Sequence, residues 1–591
     1  MTKYSVMSLM SVRPLNIARR VQNGDGSVVT TNSGGDVLAQ GGNDEGLRGE
    51  PADLPSSVDV LVVGCGPVGA TAANLLARDG VRVLVIDKAT EIFTAPRAIA
   101  LDNEALRILQ LAGIGDKDFD TIAIPYVRMR SPWLGEFGRV NTLGSVDGHP
   151  KLVTFYQPEL ERSLRARLAA CETAKTALGV TLLSLDDQGD HVVASLDIGR
   201  QTPYNVRATY VVGADGASSL VRQLIGQTFE GKTFTEDWLI VDASHVRDPI
   251  DHVEFICDHR RPTPHMVAPG ARERWEFMLR PGETREEMES DARIRKMLAP
   301  WGGIEAMTIE RKAVYRFHAR TVKAFSKGRV FLAGDAAHIT PPFVGQGLVA
   351  GLRDASNLCW KLACVVQGRA APRILDTYDQ ERRPHVKAMI GLAKFMGRLV
   401  MPRNAGVALL THGLMKLARL VPRFRAHFDE LGMKPKNVFR RGLFVKCVKS
   451  RMVRGAVIPQ GWVRDREGQI RLSDDVLGTR LVLAGFGLDA GAALDATTRT
   501  AWTSAGGAIV QFVHRGQKLH RAETACWEDL DGVFMPRAVP FGWAAVVRPD
   551  KTILHDGPIS DVSRLVREAL QLLGAPGESS DPVLQFVSPS A

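Results

Sequence analysis

Val58-Asp-Val-Leu-Val-Val63, followed directly by Gly64-Cys-Gly66-Pro67-Val68-Gly69, is the stretch on which the fold turns. An apolar, β-branched run ends in glycine, gives way to a helical pattern and is followed by a second run, Val81-Arg-Val-Leu-Val-Ile86. That order reads as strand, helix, strand. The glycine spacing is that of a dinucleotide fingerprint. The first glycine allows the tight turn, the second lets backbone approach a pyrophosphate, and the third lets the helix pack closely on the strand. Pro67 and Val68 open the helix, whose free N–H groups face the phosphate charge. Asp87, at the end of the next strand and followed by Lys88, is placed to accept from the adenosine ribose hydroxyls. The fingerprint alone does not separate NAD from FAD.

Outward from this unit, two further apolar runs end in glycine-containing turns, Thr209-Tyr-Val-Val212 and Arg329-Val-Phe-Leu-Ala333. Between them, over about 229–318, the pattern changes to alternating strands such as Trp275-Glu-Phe-Met-Leu279, which suggests an inserted antiparallel sheet. Helical periodicity dominates from Leu348 to about Leu420. Short strands and helices return after Gly455 and end with Trp543-Ala-Ala-Val-Val-Arg-Pro-Asp550 and a helix around 562–573. Residues 1–57 are rich in Gly, Ser and Asn without a lasting hydrophobic period, and read as a disordered extension. Lys3, Arg13, Arg19 and Arg20, with no acid before Asp25, also fit an organelle transit peptide weakly.

The 591 residues exclude a small binding module or a disulfide-stapled domain, and 45% hydrophobic with 24% charged residues is an ordinary globular balance. No apolar stretch reaches the roughly eighteen residues of a membrane span. Seven cysteines, odd in number, scattered and without a C-x-x-C pair, point to a reducing cytoplasm and to no metal or disulfide framework. The net charge of +10 favours acidic ligands. The arginines are not gathered into a stripe with interleaved aromatics, which argues against nucleic acid as a partner.

Two later segments extend the fingerprint: Gly213-Ala-Asp215-Gly216-Ala-Ser-Ser219-Leu-Val-Arg222 and Gly328-Arg-Val-Phe-Leu-Ala-Gly334-Asp335-Ala-Ala-His338. With GxGxxG, these DG and GD motifs resemble, in correct succession, the class A flavin-dependent aromatic hydroxylases of the para-hydroxybenzoate hydroxylase type. The resemblance implies an α/β fold: an FAD-binding Rossmann-like (GR2-type) domain with an inserted antiparallel β-sheet substrate domain. It also implies FAD as cofactor, with NADH or NADPH and O2 as cosubstrates. Asp335 matches the aspartate given to the ribityl chain or neighbouring ribose, although a helix N-cap is the bland alternative. Pro342, Gly345, Gly347, Leu348 and Val349 lead into the long helix and place backbone donors beside the flavin pyrimidine. Many relatives have Gly-x-Gly-Met-Asn here, so a side-chain amide contact is lost. Asp215, Gly216 and Arg222 match a segment touching FAD and the nicotinamide nucleotide, with a structural Asp215–Arg222 ion pair as the alternative. Arg97 and Gln157 match FAD contacts, or else cap helices.

The intervening segments Trp275–Glu283, Ala313–Ala319 and Leu375–Pro384 resemble the branch containing 3-(3-hydroxyphenyl)propionate hydroxylase. That branch carries a C-terminal thioredoxin-like domain, here without a C-x-x-C and so structural or dimerising rather than redox-active. The expected division is 1–57 disordered, 58–228 first FAD part, 229–318 substrate sheet, 319–400 second FAD part, 401–454 helical connector and 455–591 thioredoxin-like. The implied reaction has NAD(P)H reducing FAD and a phenolic ring attacking the distal oxygen of a flavin hydroperoxide. Other phenol or polyketide hydroxylases, or a flavin oxidase or dehydrogenase, share the scaffold. Tyr315, His318 and His338 could accept or relay the phenol proton, or be plain core and strand residues. Arg261, Arg274 and Arg316 could meet an acidic side arm. The remaining partner reading is a homodimer.

Overall fold

In the computed structural model of the protein, which describes residues 54–94, 97–430, 432–446, 450–517 and 524–574, the fingerprint strand Ser57–Val63 pairs in parallel with both Val83–Asp87 and Tyr204–Gly213. It is buried on both faces, which is why it reads as a continuous apolar run rather than an alternating one. Its sheet has eight strands. Ala174–Leu178 closes one side, Val192–Asp197 and Thr181–Asp187 continue the other antiparallel, and Val330–Leu332 lies parallel to the end of Tyr204–Gly213. The helices Pro67–Arg78 and Gly347–Val366 pack together over this sheet, and their apolar residues share its core. The fold begins a little before the expected boundary: Leu54 is buried and its carbonyl accepts from the Tyr204 hydroxyl at 2.6 Å. The rest of the expected disordered extension, residues 1–53, lies outside the described residues.

A second eight-stranded sheet runs, from one edge, through His338–Ile339, Thr308–Val322, Phe229–Ser244, Arg272–Met278, Thr263–Ala268, Val253–Ile256, Tyr126–Ser131 and Gly135–Asn141. This corrects the expected insertion in two ways. The last two strands come from the segment assigned to the first FAD part, and Tyr126–Ser131 joins Val253–Ile256 in parallel, so the sheet is mixed rather than antiparallel. Val127 and Met129 alternate with Arg128 and Arg130, a period-two pattern of a strand, but the sheet it joins is set by the distant partner Val253–Ile256. The strand that contains 318 also continues to Val322.

The two faces of this sheet differ. Leu239, Val241, Trp275, Phe277 and Val314 form one core with Met288, Ile294 and Leu298, so the short helices Arg285–Met288 and Asp291–Leu298 cover that face. The opposite face packs Trp238 and Phe317 against Phe343, in the short turn Pro342–Val344 that precedes the helix Gly347–Val366. It is therefore turned toward the nucleotide fold.

The carboxy-terminal sheet has seven strands. At its centre Val482–Phe486 and Ala508–Val513 are parallel, with the helix Ala496–Ser504 between them in sequence, while Trp543–Val547 and Ile553–Pro558 add antiparallel on the other side before the helix Val562–Leu573. Its core is continuous with Trp360, Cys364 and Ile374. A wholly buried ionic group completes the join: Glu381 accepts from Arg548 at 2.7 and 2.9 Å and from Lys361 at 2.8 Å, and Arg548 also reaches Asp550. Burial opposes ionisation of Glu381, but Arg548 and Lys361 outweigh it and hold the carboxyl well below the ordinary range.

Candidate active site

The three fingerprint glycines are required for different reasons. Gly64 has φ +103°, and a Cβ there would lie 2.5 Å from the Ala214 carbonyl oxygen; at Gly69 it would lie 1.8 Å from the Gly64 carbonyl oxygen. At Gly66 a Cβ would meet no protein atom within 4 Å. The missing side chain of Gly66 therefore makes room for something other than protein, as a pyrophosphate against the backbone requires. No side chain caps the helix Pro67–Arg78 that starts there, so its first-turn N–H groups remain for an anion. Asp87 accepts from the amides of Cys65 at 2.7 Å and Ala89 at 2.9 Å. About two of a carboxylate's four acceptor positions remain for sugar hydroxyls. Lys88 beside it is exposed.

The GD turn is built from below. Asp354, fully buried in the helix Gly347–Val366, accepts from Gly334 N at 3.1 Å and from Arg382 at 2.8 Å, and lies 2.6 Å from His338 Nε2. His338, on the edge strand of the second sheet, is thereby held in the core beneath the turn by Asp354. Asp354 and Arg382 were not anticipated; a lone acid inside an apolar helical stretch was the available signal. Asp335 caps no helix with its side chain. It opens into the cleft with 36% exposure, yet protein crowds it enough that desolvation raises its pKa. The Arg97 guanidinium lies 3.9 Å from Asp335 and 5.4 Å from the centre of the Tyr315 ring, so it joins the GD turn to the second sheet. Gly345 has φ +61°, Gly347 starts the helix, Leu348 is partly buried and Val349 lies wholly in the core. Gln346 is fixed by Asp102 at 3.0 Å and Arg353 at 2.9 Å.

At the DG turn, Asp215 accepts from Ser219 Oγ at 2.5 Å and from the amides of Leu220 and Val221, adding to the N-cap that Ser219 gives the helix Leu220–Leu224. Gly216 has φ +77°. Arg222 donates to the carbonyls of Ala336 and Ala217 and stacks on Phe229 at 3.9 Å, and burial lowers its pKa. No Asp215–Arg222 ion pair forms among the described residues. Gln157 accepts from Ala98 N at 3.0 Å and donates to Glu161 at 2.7 Å, tying the Arg97 loop to the helix Gln157–Ala169.

Strand register sorts the inner face of the second sheet into rows about 7 Å apart along the strands. Asp242, Arg274 and Arg311 form an ionic row: Arg274 is bidentate to Asp242 at 2.6 and 2.8 Å, Arg311 reaches the same carboxylate at 3.4 Å, and Arg274 also donates to the Arg97 carbonyl. The next row holds Ile240, Ala313 and Glu276, and the one beyond it Trp238, Met278 and Tyr315. Tyr315 accepts from Arg311 at 3.0 Å. Trp238 stacks on Phe317 at 5.4 Å, Phe343 meets both edge-on, and the buried Trp238 indole N–H has no acceptor among the described residues.

Glu276 was absent from the sequence reading, where it was one acid within an alternating strand. It is buried, has no hydrogen bond or ion pair among the described residues, and desolvation raises its pKa. His318 falls on the opposite side of its strand from Tyr315 by alternation, 3.1 Å from Thr233 Oγ1; burial, then Arg320, Arg316 and Arg97, lower its pKa. The three arginines expected for an acidic side arm are already paired: Arg261 with Glu283, Arg274 with Asp242 and Arg316 with Asp237.

The fold and this site define a dinucleotide-binding enzyme with a second, aromatic-lined sheet face turned toward the nucleotide fold. Residues 57–393 match the FAD binding domain family, and residues 455–572 match the HcaD C-terminal domain. The chain is 35% identical, over 85% of its length and 94% of the relative's, to 3-(3-hydroxy-phenyl)propionate/3-hydroxycinnamic acid hydroxylase 2 of Burkholderia vietnamiensis. It is 37% identical, over 77% and 80%, to the hydroxylase of that name in a Mycobacterium species. Among solved structures, the flavin-dependent monooxygenase PieE in complex with FAD and substrate superposes with a TM-score of 0.74 at 22% identity, covering 88% of this chain and 99% of that one. The anhydrotetracycline hydroxylase OxyS of Streptomyces rimosus gives 0.70 at 24%, covering 88% and 100%. These two speak to the fold alone. The chain belongs to the FAD-binding family of aromatic hydroxylases: it is an FAD-dependent monooxygenase that uses NAD(P)H and O2. No described helix is long and apolar enough to cross a membrane.

Proposed function

We propose that the protein hydroxylates the ring of a phenolic acid of the hydroxyphenyl-propionate or hydroxycinnamate kind, in aromatic catabolism. The observation that carries this reading is the inner sheet face, where an aromatic row borders a buried carboxyl, Glu276, without a hydrogen bond or ion pair among the described residues, and then the row of Asp242, Arg274 and Arg311. FAD, when bound at the Gly64–Gly69 turn, Asp87 and Asp335, supplies the redox and oxygen chemistry. Trp238, Phe317 and Phe343 stack on the ring and exclude water from the reacting edge. Glu276, made more basic by burial, accepts the phenol proton, and Arg274 and Arg311 one row away stabilise the negative charge left on the ring oxygen. Tyr315, oriented by Arg311 and flanked by Arg97, positions the hydroxyl. His338 and His318 fit supporting roles rather than proton transfer.

The pairing of Arg261, Arg274 and Arg316 favours one second reading, a larger phenol without an acidic arm, as in the polyketide hydroxylases that share the scaffold. A panel of phenols, scored for stimulated NADH oxidation coupled to product labelled from 18O2, decides. Hydroxyphenyl-propionates should lead the panel; peroxide with unlabelled product throughout would instead indicate an oxidase.

The carboxy-terminal order, parallel Val482–Phe486 and Ala508–Val513 followed by an antiparallel pair and a helix, supports a thioredoxin-like domain from about 455. Free cysteines at all six described positions support a cytoplasmic setting. The remaining division is 58–228 and 319–400 for the FAD fold, 229–318 with the strands at 126–141 for the substrate sheet, and 401–454 for the helical connector.

A further inference from the structure

The helix Ala405–Ala418 is apolar on both sides. Its inner side, through Met415, joins the cluster that also holds Met401, Phe428, Phe343 and Trp238, so it backs the aromatic wall of the active site. Its outer side repeats Val407, Leu410, Leu414 and Leu417 at helical spacing and runs on to Leu420 and Val421. Leu410 is 71% exposed, Leu414 65%, Leu417 64% and Leu420 77%. A helix with this pattern belongs in a buried position, yet here half of it forms a ridge about 20 Å long on the surface. Trp133, 51% exposed and tilted against His259, precedes Leu134, whose carbonyl accepts from Lys416 of this helix.

The charge around the ridge names its partner. From Arg382 to Phe428 the sequence holds ten Lys and Arg and no Asp or Glu. Arg419 is neutralised by Asp429 and Glu136, and Arg425 by Asp429. Arg398, Arg403 and Arg423, which bracket the two ends of the ridge, are exposed and have no acidic partner among the described residues. A second copy of the chain on the ridge would bring two acid-free segments together, like charge against like. A surface that is apolar beneath and anionic above satisfies both features at once, with leucines and a tryptophan below the headgroups and arginines among them.

We propose that the Ala405–Ala418 ridge, with Trp133, docks this enzyme peripherally on an anionic phospholipid surface. The proposal does not depend on which phenol is the substrate, because its readouts do not involve turnover of one.

The test sediments the FAD-loaded full chain with vesicles of phosphatidylglycerol and phosphatidylethanolamine, and with vesicles of phosphatidylcholine alone. Binding to the anionic vesicles at low salt is expected, falling about tenfold on phosphatidylcholine or in high salt. Leu410→Gln/Leu414→Gln/Leu417→Gln should abolish sedimentation while retaining FAD. Should that variant fail to fold, Arg398→Gln/Arg403→Gln/Arg423→Gln leaves the ridge intact and should weaken binding about tenfold. Holoenzyme that stays in the supernatant with anionic vesicles overturns the proposal. So does a dimer by light scattering that the leucine variant converts to monomer, since the ridge would then be covered by a second copy.

Discussion

The ionic group that ties the carboxy-terminal sheet to the flavin fold and the one on the inner face of the substrate sheet are built from the same residue types, both out of water. In the first, Glu381 is saturated by Arg548, Lys361, Asn357 and the Leu443 amide. In the second, Asp242 accepts from Arg274 and Arg311 while Glu276, one row away, has no hydrogen bond or ion pair among the described residues. A closed network holds elements in place. A buried carboxyl left open is a cost to the fold that makes sense where a ligand will supply the missing partner.

The largest effect should come from opening the closed network. Arg548→Met removes the guanidinium that pairs with both Glu381 and Asp550, leaving Lys361 as the one cation on the buried Glu381, and should lower urea-measured stability by about 3–5 kcal/mol. Because the folded-state pKa of Glu381 lies below its unfolded value, its contribution is present above the unfolded pKa and is lost as pH falls through the folded one. The acid-unfolding midpoint of the variant should therefore move to higher pH, and an unchanged midpoint would show that the group does not hold the two parts together.

Glu276→Gln should instead spare the fold and lower kcat about a hundredfold or more. The sign of its stability effect is opposite: a pKa raised by burial means wild-type stability declines as pH rises through that folded value, whereas the glutamine variant does not titrate. The stability of the variant relative to wild type should accordingly grow with pH. A kcat within twofold of wild type would remove Glu276 from the mechanism.

The same contrast between filled and open space recurs on the backbone. Gly69→Ala must displace the Gly64 carbonyl and should destabilise the apoprotein, whereas Gly66→Ala should leave apoprotein unfolding unchanged and weaken FAD binding about tenfold, read by flavin fluorescence titration. Equal effects of the two on unfolding would show that the Gly66 side is not open. The smallest effect expected is none: removal of residues 1–53, ahead of the buried Leu54, should leave kcat and FAD content as they are.

What the sequence disclosed was what local chemistry dictates. The fingerprint, Asp87 and the GD and DG turns need particular residues at fixed spacing, so they could be placed before any fold was seen. Glu276 could not, because its meaning depends on which face of the strand Arg272–Met278 turns toward the nucleotide fold and on its having no partner among the described residues, and both are set by residues far away in sequence. His338 illustrates the reverse: a histidine three residues past Asp335 looks catalytic until Asp354, from the next helix, is seen to hold it beneath the turn. The arginines at 261, 274 and 316 were likewise plausible anion ligands until each was found facing a carboxylate.

The strand Tyr126–Ser131 has a consequence for how the protein is made. Its parallel partner, Val253–Ile256, leaves the ribosome more than a hundred residues later, on the order of ten seconds at ordinary synthesis rates. Until then its only neighbour is the hairpin strand Gly135–Asn141, and one edge stays open to any passing strand. The nascent chain therefore has a defined interval in which a holding chaperone, or faster synthesis of residues 132–256, should decide how much enzyme reaches the folded state.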